Sequence, residues 1–228
     1  MKNNEIISII FKTIAIISSM AGILLSFYSP TGYMVRFRTF LYFTIDSNFF
    51  MALILFIELI LIIIEKHKNV FLRNDTFLAF KHMFTLAMVV TPLTFYLMVL
   101  FALISPSWGD KAGVINLMLI PSNWTVHLIA PLFSILDYVL FDRLASKNKR
   151  RAIKFVSLVY PFMYCVGTII LSLNGVIFSH DGKIVPYFFL DYKTYGFPVM
   201  FLFWIIFGIV LYYLNDLLFL LKRKQEEA

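Results

Sequence analysis

The chain has 228 residues, of which 61% are hydrophobic, 18% aromatic and only 14% charged, with a formal net charge of +7. Soluble domains carry about 25% charged residues, and a chain of this size cannot hide so much apolar surface from water. A soluble enzyme is therefore excluded, and so is a nucleic-acid partner, because the basic residues lie in short stretches between apolar runs, where they suit lipid headgroups.

A helix of about 20 apolar residues crosses a bilayer core about 30 Å thick. Six stretches reach that length: Ile6–Tyr28, Phe40–Ile64, Met83–Ile104, Asn123–Phe141, Ala152–Leu173 and Phe197–Leu221. They predict an all-α fold, a single polytopic bundle over residues 1–228 with membrane lipids as its solvent. Pro30, Pro106, Pro121 and Pro186 fall between spans, whereas Pro92, Pro131 and Pro161 fall within them. Membrane helices tolerate such prolines when neighbours satisfy the freed carbonyls. Ser19-Met20-Ala21 resembles a signal-cleavage site, but the apolar run continues through Gly22–Phe27, so the first span is expected to be retained. The single cysteine, Cys165, lies in an apolar run and rules out an intramolecular disulfide.

Six spans place both ends on one side. That side, with the second and fourth loops, collects 14 lysines and arginines, and the other collects 5. The excess marks the cytoplasmic face. The expectation is a multi-pass protein of the cell membrane with both termini in the cytoplasm.

Ionisable groups at membrane depth are costly and mark candidate sites. In the second span Thr44, Ser47 and Asn48 stand at i, i+3 and i+4 and share a helix face, with Asp46 nearly opposite. Such a face serves either for interhelical hydrogen bonds or as a polar pocket. His127 is the one histidine well inside a predicted span; His67 and His180 fall in loops and His82 at the inner end of the third span. Thr44 and His127 each stand one turn into their helices from the outer side, about 6 Å deep. A hydroxyl and an imidazole at matched depth are the minimum for a base-activated nucleophile.

Lys12 and Glu58 both fall in the inner halves of their spans, as an ion pair or with Lys12 snorkelling to the headgroups. Asp137 is about 15 Å deeper than His127, too far to orient the imidazole. Asn215 and Asp216 are expected at the inner interface. No phosphate-binding or dinucleotide loop, no serine-hydrolase elbow and no metal-ligand spacing is present, so no cofactor and no metal is expected. The Gly-x-Ser-Gly segment of a rhomboid-like protease is missing as well.

Phe43-Thr44-Ile45 followed by Ser47-Asn48, then His127, Pro131, Asp137 and Phe141-Asp142, then Tyr160-Pro161, and finally Val185-Pro186-Tyr187-Phe188-Phe189-Leu190-Asp191 form an ordered set. The set resembles the bacterial six-span relatives of the androgen-induced-gene (ADTRP-like) membrane proteins. The resemblance implies intramembrane hydrolysis of fatty acid esters of hydroxy fatty acids, a lipid-like substrate, by a threonine matching Thr44 and a histidine matching His127. Ser47-Asn48 departs from the animal pattern and makes Ser47 a rival nucleophile, with Asn48 a candidate oxyanion donor. Two other readings fit the same size and topology: a substrate-capture subunit of a small-molecule transporter, and a non-enzymatic structural membrane protein.

Overall fold

A computed structural model describes residues 3–27, 36–65, 74–104, 111–143, 145–178 and 184–227. Pro30, Pro106, His67, His180 and the basic residues Lys2, Lys66, Lys68, Arg73 and Lys183 lie outside them. The described residues contain no strand. Their main helices are α1 (Asn3–Phe27), α2 (Phe43–Glu65), α3 (Asp75–Ile104), α4 (Lys111–Leu119), α5 (Pro121–Phe141), α6 (Lys147–Leu173) and α7 (Tyr192–Glu227). All but α4 are long and apolar enough to cross a membrane.

Local chemistry sets where the helices begin, and it corrects three expected boundaries. The third helix starts at Asp75 rather than Met83, because Asn74 Oδ1 accepts from the Thr76 N–H at 2.9 Å and caps it. Asp75 in the first turn is bonded by Arg143 and Lys149. The last helix starts at Tyr192 rather than Phe197. Asp191 accepts from the Thr194 N–H at 3.1 Å and from the Thr194 hydroxyl at 2.6 Å, and Gly196, at φ +78°, breaks the helix one turn in. The fifth expected span also begins earlier, at Lys147. The short α4 falls in a stretch where no helix was expected, and it packs Val114 against Phe95, Val99 and Ala102 of α3.

Residues early in α1 (Ser8, Lys12) and α3 (Lys81) meet residues late in α2 (Glu58) and α5 (Asp137), so neighbouring helices run antiparallel. This defines a basic end of the bundle, and the start of α2 lies at the opposite, far end. The core between the ends is aliphatic and aromatic, with Met51, Leu55, Met88 and Ala130 at its centre. Outward faces carry Ile17, Phe56, Phe101, Phe162 and Ile205, exposed apolar side chains that suit a lipid surrounding. Helix α7 is the least embedded: 11% of its apolar window is buried, against 33–39% for the other five.

Polar contacts hold α7 in place. Asn215, expected at the interface, is fully buried; its Oδ1 accepts from His82 Nε2 at 2.6 Å and from Ser157 Oγ at 2.7 Å. An acceptor oxygen on Nε2 puts the ring proton there, so His82 Nδ1 accepts from the Tyr138 hydroxyl at 2.7 Å. Both nitrogens of His82 are used, and its ring stacks on Phe219 of α7 at 4.6 Å. Lys222 adds a bond to the Tyr138 carbonyl at 2.9 Å and lies over the Tyr138 ring at 3.6 Å.

Candidate functional site

The site is built where α1, α2, α3 and α5 converge at the far end. Pro131 has no N–H to give the His127 carbonyl, which loosens the preceding turn. It widens into a π-turn over Thr125–Ile129, closed by the Ala130 N–H on the Thr125 carbonyl. π-turns often mark functional positions because they re-aim side chains. Gly22 of α1 makes room for this one: a Cβ there would collide with the side chains of Thr125 and Val126.

His127 sits in the π-turn, partly buried, with its ring stacked on Phe95 of α3 at a centroid distance of 4.0 Å and an angle of 14°. Its Nδ1 lies 3.4 Å from the Thr91 carbonyl oxygen. A carbonyl only accepts, so Nδ1 carries the proton and Nε2 keeps its lone pair. Nε2 makes no hydrogen bond among the described residues.

Asn48 ties α2 to this turn. Its Nδ2 donates to the Thr44 carbonyl at 2.7 Å and to the Val126 carbonyl at 3.1 Å, while Oδ1 accepts from Ser19 Oγ at 3.2 Å. The main chains that bear Thr44 and His127 are thereby neighbours. Their side chains do not bond to each other: Thr44, 8% exposed, instead lies against the Tyr187 hydroxyl. Both amide hydrogens of Asn48 go to helix carbonyls, which makes Asn48 a tie between α2 and the π-turn. Ser47 is fully buried, donates to the Thr44 carbonyl at 3.1 Å and touches Thr91 Oγ1 at 3.4 Å.

Three residues that sequence reasoning did not single out complete the site. Thr91 supplies the carbonyl that orients His127, and nothing in its sequence context signals this. Tyr164 donates to the Leu41 carbonyl at 2.7 Å and braces the start of α2. Tyr187 packs on Phe43 beside Thr44 at the start of α2. Burial pushes its phenol up to about 12, so it is an uncharged hydroxyl at neutral pH. Asp46, on the other side of α2, accepts from the Tyr160 hydroxyl at 3.1 Å.

The residues best suited to a metal lie elsewhere, at the basic end. Carboxylate oxygens of Glu58, Asp137 and Asp142 come within 4.8 Å of one another. The Lys81 ammonium lies 2.5, 2.8 and 2.8 Å from these three groups and takes the central position. Lys12 does not snorkel; it is 3% exposed and lies 2.6 Å from Asp137 and 3.5 Å from Glu58. Asp137, bonded to both lysines, belongs wholly to this cluster and leaves His127 alone. Six long apolar helices fit an integral membrane protein, and comparison of the chain with family models, curated proteins and solved structures gives no match.

Proposed function

We propose that the protein is an intramembrane lipid-ester hydrolase of the cell membrane, with its basic end and both termini in the cytoplasm and its site in the outer leaflet. The observation that carries this reading is the state of His127: Nδ1–H faces a fixed carbonyl, and Nε2 is left as a free base. General-base catalysis by histidine needs this division of labour between the two nitrogens. The resemblance to the androgen-induced-gene family supports the same pair of residues.

In the proposed reaction the Thr44 hydroxyl turns from Tyr187 toward Nε2 as the ester enters. His127 takes its proton while Thr44 Oγ attacks the carbonyl. The Tyr187 hydroxyl donates to the oxyanion, since the Asn48 amide hydrogens are held by helix carbonyls. The alcohol leaves with the proton from His127, and water then releases the fatty acid from the acyl-threonine. The lipid-facing helix surfaces accept long acyl chains, which suits esters of hydroxy fatty acids.

The test is turnover of such an ester by protein reconstituted in lipid nanodiscs. The wild type should release fatty acid, and Thr44→Ala and His127→Ala should not, while both variants keep the wild-type melting temperature. Equal release by all three would end the proposal, and tight binding of a water-soluble small molecule without turnover would favour substrate capture instead.

A further inference from the structure

Four helices contribute to the ion cluster at the basic end: Lys12 and Ser8 from α1, Glu58 from α2, Lys81 from α3, and Asp137 and Asp142 from α5 and its end. Lys81 Nζ donates to Glu58 Oε2 at 2.5 Å and to Asp137 Oδ2 at 2.8 Å, while Asp142 Oδ2 lies 2.8 Å away as an ion-pair contact that accepts no hydrogen bond. Lys12 Nζ reaches Asp137 Oδ1 at 2.6 Å and Ser8 Oγ at 2.8 Å, with Glu58 Oε2 at 3.5 Å. Among the described residues those are the ion-pair contacts of the three carboxylates. Other charged or titratable groups nearby face other partners: Arg143 bonds Asp75, Lys222 bonds the Tyr138 carbonyl, and His82 faces Tyr138 and Asn215.

Three carboxylates thus meet two ammonium groups, and the side chains of Lys81, Asp137, Lys12 and Glu58 are 0–4% exposed. An uncompensated charge is not stable in such a place, and acidic groups crowded together take up a proton instead. Asp137 has both oxygens on ammonium groups and stays ionised. Glu58, the more deeply buried of the other two, meets both ammonium groups through Oε2 and has Oε1 left for a proton.

We propose that Glu58 holds a proton at neutral pH, making the cluster a protonatable site that is neutral when occupied and carries one negative charge when empty. Asp142, with a side chain 14% exposed at the end of α5, is the point of exchange with water at the basic end. The ligand is a proton rather than a metal ion, because the Lys81 ammonium already fills the centre of the carboxylate triad. The site is separate from His127 and does not depend on the hydrolase reading.

Infrared spectroscopy of the full chain in nanodiscs tests this directly. At pH 7 the wild type should show the C=O stretch of a protonated carboxyl, shifted in D2O. The band should be lost in Glu58→Gln or Asp142→Asn and retained in Asp46→Asn, which removes a carboxyl at membrane depth outside the cluster. Glu58→Gln, an uncharged copy of the occupied state, should melt within a few degrees of the wild type. Absence of the band at pH 7, or its loss in Asp46→Asn alone, would overturn the proposal. If a cluster variant does not fold, Asp46→Asn decides: a retained band supports the site and a lost one refutes it.

Discussion

His82 and His127 are the same residue on neighbouring helices, yet the bundle treats them in opposite ways. His82, at the basic end, has both ring nitrogens engaged at 2.6 and 2.7 Å and no exposed surface. His127, at the far end, has one nitrogen held at 3.4 Å and the other unused, in a helix turn widened by Pro131. A histidine with every valence filled fastens helices together; one with a free lone pair beside a hydroxyl-bearing helix can move a proton. On the proposed reading, the difference separates a scaffold end from a chemical end.

The sharpest way to break the scaffold is Lys81→Met, which strands three carboxylates. Removing one partner from a buried ion cluster costs about 3–5 kcal/mol, and thermal unfolding in detergent should register it as a large drop in melting temperature. The two histidines should then separate cleanly. His127→Ala is expected to lower ester turnover by about 100-fold or more with little change in melting. His82→Ala should do the reverse and destabilise by about 1–3 kcal/mol for each group it leaves unpaired, Tyr138 and Asn215 among them.

A subtler change tests how the chemical end is shaped. Gly22→Ala forces α1 away from the π-turn and should cost about 1–3 kcal/mol in stability, with turnover falling as His127 shifts. The smallest effect should come from Thr91→Val, which keeps the carbonyl that holds His127. It removes the hydroxyl beside Ser47, a contact worth about 0.6 kcal/mol in membrane bundles, and turnover should be nearly unchanged.

Length and hydropathy made six helices long and apolar enough to cross a bilayer legible, because a bilayer sets one length for every crossing. The start of α3 was hidden: Thr76–Lys81 reads as a loop until Glu58, Asp137 and Asp142 are seen to neutralise Lys81. Asn215 was hidden for the same reason, since its partner His82 is 133 residues away. Thr44 and His127 could be singled out from depth alone, because helical rise converts position into height. Rotation about the helix axis is not encoded that way, so the contacts of Thr44 with Tyr187 and of His127 with Thr91 came only with the packing. The π-turn was half visible, as Pro131 four residues after His127, but its consequence depends on Gly22 letting α1 come close.

The central claim is that Thr44 is a nucleophile activated by His127, and covalent phosphonylation of that nucleophile tests it most directly. Protein in nanodiscs would be treated with a fluorophosphonate probe, digested, and the modified residue located by mass spectrometry. The account predicts one adduct, on Thr44, that is absent in His127→Ala and undiminished in Ser47→Ala. An adduct on Ser47, or labelling that survives His127→Ala at full strength, would contradict it.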